Sequence, residues 1–96
     1  MSAVVITPTA LRNIERLIEL LNLPADTQER VGRSIQFVAQ FPLIGSPLHG
    51  RWAGFRYVLG PWRWMIVVYA FDEPSDRVLV VTIQDTRAPR AATGER

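Results

Sequence analysis

The sequence predicts an α+β domain of order β-α-α-β-β-β, in which a helical hairpin is packed on one face of a four-stranded antiparallel sheet. Three observations carry this. Two segments in the first half repeat their apolar residues at helical spacing. From about residue 55 the period shortens to two, or gives way to unbroken β-branched runs. The chain has 96 residues, 48% of them apolar, which is enough for one core and too short for two domains.

Each element follows from its residues. "AVVIT" (3–7) reads as a short strand. Thr7-Pro8 then supplies a helix N-cap and a proline in the first helical position, where the missing N–H has no partner to lose. Ala10, Leu11, Ile14, Leu17, Ile18 and Leu21 fill one stripe of that helix, with Arg12, Glu15, Arg16 and Glu19 opposite. "NLPAD" (22–26) breaks it. Asp26 and Glu29 have the spacing of a capping box for a second helix, whose inner face is expected to carry Val31, Ile35, Val38, Ala39 and Phe41. The short connection makes the helices antiparallel neighbours. Residues 41–50, with two prolines and two glycines, read as a loop. Residues 55–59 read as a strand, Gly60-Pro61 as a turn, 62–71 as a long strand, "EPSD" (73–76) as a type I turn and 77–85 as a last strand. That last strand is apolar on both sides, so it belongs inside the sheet. With the first strand running up, the helices run down and up and the meander down, up, down. The first strand then lies antiparallel beside the last, in the order 2-3-4-1 along the sheet. Residues 1–88 make the domain, and the tail 89–96, which lacks apolar periodicity, is expected to be flexible.

Composition narrows the chemistry. There is no cysteine, hence no disulfide framework and no thiolate metal site. No paired-histidine spacing points to a metal, and no glycine-rich loop after a strand is built to cradle a nucleotide, so no cofactor is expected. The longest apolar run, 64–71, is too short to span a bilayer. The N-terminus has no basic leader region, and a reducing cytoplasm is the simplest home for the chain. All eleven basic residues are arginine, for a net charge of +2. No ammonium is available as a base, while planar forks for phosphate or carboxylate are plentiful. A charge of +2 alone does not imply a nucleic-acid partner.

The order of short motifs adds a resemblance. Pro42 and Gly45 end the helical half, Gly54-Phe55-Arg56 opens the second strand, Tyr69 precedes Asp72 in the third, and Arg87 follows the fourth. Over residues 3 to 88 this resembles the RelE/ParE superfamily of toxins from type II toxin–antitoxin pairs. The resemblance implies a cytoplasmic toxin that inhibits growth, serves plasmid stabilisation in some settings, and is neutralised by a cognate antitoxin wrapped around sheet and helices. The implied target is ribosome-bound mRNA in RNA-cleaving members and DNA gyrase in ParE-like ones.

RNA cleavage needs a base for the 2′-hydroxyl, cations for the phosphate and an acid for the leaving oxygen. The resemblance offers Arg56 and Arg87 as catalytic candidates, both suited to holding phosphate. Tyr57 and Val58 stand where RNA-cleaving members carry lysine, no histidine or tyrosine follows Arg87, and Asp85 stands where relatives often have histidine. Arginine is a poor base because it keeps its proton. The incomplete set favours a ParE-like inhibitor of a macromolecular target, gyrase first. The alternatives are a RelE-like mRNA endoribonuclease and a non-toxic antitoxin-binding member. If Phe55, Tyr57 and Leu59 face the helices, Arg56 points to an uncovered face and shares it with Arg87. Arg56 has a second reading as the ion-pair partner of Asp72 or Asp85. Arg63 is expected to stack on Trp62 or Trp64. The single histidine, His49, has no carboxylate near it in sequence, and Tyr69 is expected to face the core with its hydroxyl at the sheet surface. Leu20, Phe37 and Trp52 fall outside the apolar faces and are candidates for antitoxin contact.

Overall fold

Thr7 ends the first strand and starts the first helix. In the computed structural model, which describes residues 1–94, β1 spans Ala3–Ile6 and α1 spans Pro8–Leu21. The Thr7 hydroxyl accepts the Ala10 N–H at 3.2 Å and donates to the Val80 carbonyl at 3.0 Å. The cap therefore also ties the helix to the sheet. Asn22 closes α1 in the left-handed conformation, φ 50°. α2 spans Thr27–Gln40. The expected capping box does not form there: Asp26 caps nothing with its side chain. Its carboxylate is taken instead by Arg30, one turn on, at 2.9 Å. Phe41 is also not on the buried face; it follows the helix as its C-cap and is exposed.

The sheet holds five strands in the order β1-β5-β4-β3-β2, with β2 at Ser46–Pro47, β3 at Arg56–Leu59, β4 at Met65–Asp72 and β5 at Arg77–Asp85. The α+β class and the placement of the last strand inside the sheet hold. Two features of the topology differ from expectation. The loop after α2 contains the two-residue β2, antiparallel to β3. This adds one pass to the chain, so the meander runs in the opposite sense. As a result β1 pairs with β5 in parallel rather than antiparallel. The long strand also starts later than expected, at Met65, because Trp62–Trp64 belong to the turn before it.

Both helices pack on one face. Ala10 and Ile14 of α1 and Val31, Ile35 and Val38 of α2 form one core with Met65, Val67, Tyr69, Val78, Val80 and Ile83. A bulge in β5 shifts the alternation: Val68 pairs with Thr82 and Tyr69 with Val80, leaving Val81 unpaired. Val78 and Val80 before the bulge, and Ile83 after it, thus all reach the helices. Asn13 of α1 meets the bulge directly. Its side-chain oxygen accepts the Thr82 hydroxyl at 2.6 Å and the Ile83 N–H at 3.1 Å.

The far face of the sheet is not bare. Leu48, Ile66, Val68 and Ala92 form a second buried cluster, joined by Trp52, Phe55, Tyr57 and Val81. The 3₁₀ turn Gly50–Trp52 and a second one at Ala92–Gly94 supply part of this cover. The segment expected as a loose tail from residue 89 thus packs in part: Ala91 and Ala92 are buried, and the Ala92 N–H donates to Gln84 Oε1 at 2.7 Å. Residues 95 and 96, the end of that tail, lie outside the described residues. Among the described residues, no helix is long and apolar enough to cross a membrane.

Candidate functional site

Arg56 does not lie on the far face. It sits opposite Tyr69 in the β3–β4 pair, and directly opposed residues share a face. Tyr69 is in the helix-side core, whereas Phe55 and Tyr57 pack in the second cluster. The alternation along β3 thus has the opposite phase to the one expected, because apolar residues stand on both faces of this strand. At its own position Arg56 looks past the end of α2 into the loop of residues 41–45. Its guanidinium donates to the carbonyls of Gly45 at 2.8 Å and Leu43 at 3.4 Å. Among the described residues neither Asp72 nor Asp85 pairs with Arg56: Asp72 is taken by Ser75 and Arg77, and Asp85 by Arg87.

The Tyr69 hydroxyl completes this latch. It donates to the Pro42 carbonyl at 2.7 Å and accepts the Gly45 N–H at 2.9 Å. Burial pushes its pKa up, with the Gly45 N–H and the Arg56 charge acting against the shift. A Cβ at residue 45 would stand 2.6 Å from the Tyr69 hydroxyl and 2.8 Å from the Tyr57 carbonyl oxygen. That is the physical reason for glycine there. Gly54, just before β3, has φ 94°, a backbone region closed to most side chains.

Arg87 belongs to a different assembly. Its guanidinium lies 4.7 Å from the Trp64 ring centroid. Trp64 stacks on Trp62 at 5.8 Å with only 9° between planes, and Arg30 covers Trp62 at 5.9 Å. Carboxylates close both ends of the column: Asp26 holds Arg30 and Asp85 holds Arg87. The stacking expected of Arg63 is therefore made by Arg30 and Arg87. Trp62 and Trp64 stack on the same side of the turn, and Arg63 between them is exposed. Asp85 accepts Arg87 Nε at 2.9 Å and Nη2 at 2.8 Å. This pairing holds the Asp85 pKa below the ordinary carboxylate range, chiefly through those side-chain hydrogen bonds.

The two candidate arginines are not brought together. Arg56 is level with Tyr69, whereas Thr86, next to Arg87, bonds the Trp64 carbonyl. The two levels lie about 17 Å apart along β4.

What the structure does assemble is a cleft of about 180 Å³ between β2, β3 and the last 3₁₀ turn, lined by Ser46, Leu48, His49, Tyr57 and Thr93 among others. Sequence reasoning missed this grouping. The signal was the turn-rich stretch between Ser46 and Tyr57, which the β2–β3 pairing brings face to face. Trp52 packs edge-on against Phe55, with ring centroids 5.7 Å apart. Its buried indole Nε1 has no hydrogen-bond partner. Trp52 is thus half-buried in the second cluster rather than displayed on the surface. Leu20 and Phe37 do lie on the surface, 66% and 48% exposed. Phe37 contacts Phe41 at 5.3 Å, and Leu43 and Ile44, on the latched loop, extend the exposed apolar ridge.

No protein-family model matches the sequence, and no curated protein matches it. Solved structures do match. The RelBE2 toxin–antitoxin complex of Mycobacterium tuberculosis gives a TM-score of 0.62 at 20% identity, covering 88% of this chain and 96% of that one. A copper-bound mutant toxin from Helicobacter pylori gives 0.66 at 19% identity, covering 88% and 94%. The isolated E. coli RelE toxin gives 0.65 at 13% identity, covering 94% and 89%. At these identities the likeness is one of architecture: this chain shares the fold of these solved toxin structures.

Proposed function

We propose that the chain is the toxin of a type II toxin–antitoxin pair, acting in the cytoplasm on a protein target, DNA gyrase first, and neutralised by a cognate antitoxin. One observation carries the choice of target class: both arginines that could hold a scissile phosphate are already engaged. Arg56 is spent on loop carbonyls, and Arg87 is forked to Asp85. The carboxylate beside Arg87 is a weakened base, because the ion pair lowers its pKa. Expression without the antitoxin should arrest growth, and purified protein should inhibit DNA supercoiling by gyrase. A toxic chain that leaves supercoiling untouched removes the gyrase assignment.

The antitoxin is proposed to dock an amphipathic segment on the apolar ridge of Phe37 and Phe41, with Leu20 as a second exposed contact. Trp52, half-buried in the second cluster, is the third candidate contact. Phe37→Ser and Leu20→Ser should each weaken antitoxin binding at least tenfold, the loss of roughly 1.4 kcal/mol, while leaving the melting temperature nearly unchanged. Unchanged affinity in both variants would remove this surface.

A specific observation favours a second reading, a ribosome-dependent mRNA endoribonuclease. His49 and Tyr57 line one cleft together with Ser46 and Thr93. There His49 would take the proton of a 2′-hydroxyl as it attacks the neighbouring phosphorus, and Tyr57 would protonate the departing 5′-oxygen. Primer extension on translated mRNA after induction separates the readings. Codon-positioned cuts that vanish in His49→Ala and Tyr57→Phe would replace the gyrase reading, and full toxicity in both variants without cuts would exclude the nuclease.

A further inference from the structure

Arg87 is arranged as an anion clamp that the chain fills by itself. Its side chain is 60% exposed, and its guanidinium plane is held against Trp64 at 4.7 Å. One of its forked edges is closed on Asp85 through Nε and Nη2. The Arg87 backbone N–H donates to the same carboxylate at 2.9 Å. Asp85 is thus fixed by three hydrogen bonds, with a side chain only 19% exposed. A fork of this shape fits phosphate as well as it fits carboxylate. Arg63, beside Trp64, and Arg90, three residues further on, are both exposed. The end of the sheet therefore has the cations of a nucleic-acid contact, while the faces of Trp62 and Trp64 are taken by each other and by Arg30 and Arg87. What it lacks is a free fork: a phosphodiester approaching Arg87 meets a fixed carboxylate that cancels the charge.

We propose that Asp85 is an internal anion that masks Arg87 from nucleic-acid phosphates. The inference deepens the reading of the chain as an inhibitor of a protein target. Its test is a binding measurement that does not depend on toxicity or on gyrase.

The probe is a fluorescently labelled single-stranded RNA of mixed sequence, followed by anisotropy at low salt. Asp85→Asn should bind it about tenfold more tightly than wild type, the scale of one charge-assisted forked contact. The log–log salt dependence should steepen by about 0.7, for one added phosphate contact on a single strand. Asp72→Asn removes the same charge from a carboxylate that bonds Ser75 and stands 3.8 Å from the Arg77 guanidinium, with no fork closed on it, and should change affinity far less. The double variant Asp85→Asn with Arg87→Ala should return to the wild-type level. Asp85→Ser, which removes the forked acceptor altogether, should repeat the gain and guards against a misfolded first variant. Wild-type affinity in both Asp85 variants, an equal gain in Asp72→Asn, or a gain that survives loss of Arg87 would each overturn the proposal. If the wild-type protein fails to inhibit gyrase while these shifts appear, the target assignment falls and the masking stands.

Discussion

Gly45 carries more structural consequence than any charged residue near it. The Tyr69 hydroxyl and the Tyr57 carbonyl leave no space for a Cβ, so Gly45→Ala should destabilise the fold by about 2 kcal/mol or more through steric strain. A Tyr69→Phe background should relieve only part of this, because the backbone carbonyl of Tyr57 cannot withdraw. A double-variant urea series would show it. Tyr69→Phe alone leaves the Gly45 N–H without its buried acceptor and should cost about 1–3 kcal/mol. The raised pKa of Tyr69 fixes the sign of its pH dependence. The contribution is fully present below the unfolded phenol value and is lost as pH rises through the folded one. Wild type should therefore lose stability in alkali more steeply than Tyr69→Phe. Asp85 has the opposite sign. Its pKa is depressed, so its contribution is present above the unfolded carboxylate value and is lost as pH falls through the folded one. The stability difference between wild type and Asp85→Asn, measured by urea unfolding, should shrink to nothing in strong acid.

Among elements, the bulge in β5 decides how α1 meets the sheet. Without the extra residue the alternation would carry Ile83 away from the helices, and one helix-side core residue would be lost. Asn13 holds the distortion by accepting both the Thr82 hydroxyl and the Ile83 N–H. Asn13→Ala should cost about 1–3 kcal/mol and should raise amide exchange at Ile83 before it does so elsewhere in β5. The column of Arg30, Trp62, Trp64 and Arg87 links the start of α2, the β3–β4 turn and the end of β5. A double-mutant cycle on Trp64 and Arg87 should return a coupling of about 0.5–1 kcal/mol. A coupling of zero would mean that the stack is contact without energy.

At the scale of the molecule, the sheet is covered on both faces, but unequally. Two helices seal one side, and a loop and a short C-terminal turn lie over part of the other. The thin cover is the part most open to change. Ending the chain after Arg90 removes the buried Ala91 and Ala92 and the hydrogen bond to Gln84. It should lower stability by roughly 1–2 kcal/mol and increase binding of a hydrophobic dye, as Ile66 and Val68 lose part of their shield. The ridge of Phe37, Phe41, Leu43 and Ile44 stays exposed on the last turn of α2 and the loop after it, which Tyr69 and Arg56 latch. That rigidity lowers the entropy that a partner must overcome on docking.

Local pattern alone determined a good deal. The cap at Thr7, the break after Leu21, the helical stripes of Ala10, Ile14, Val31 and Ile35, and the limits of β5 all follow from residue type and period, because these interactions act within a turn or along one strand. The α+β class followed from the change of period near residue 55. Tertiary structure decided everything that needed register. A two-residue strand at Ser46–Pro47 carries almost no periodic signal, yet it reversed the sense of the meander and made β1 parallel to β5. Phe55 and Tyr57 look the same in sequence whichever core they enter, so the side taken by Arg56 was set by the pairing with Tyr69. His49 and Tyr57 met only when β2 folded onto β3, and Arg87 found Asp85 and Trp64 only at the end of the sheet. Strand register moves every side chain by one face per residue of slip, and no single chain segment holds the information that sets it.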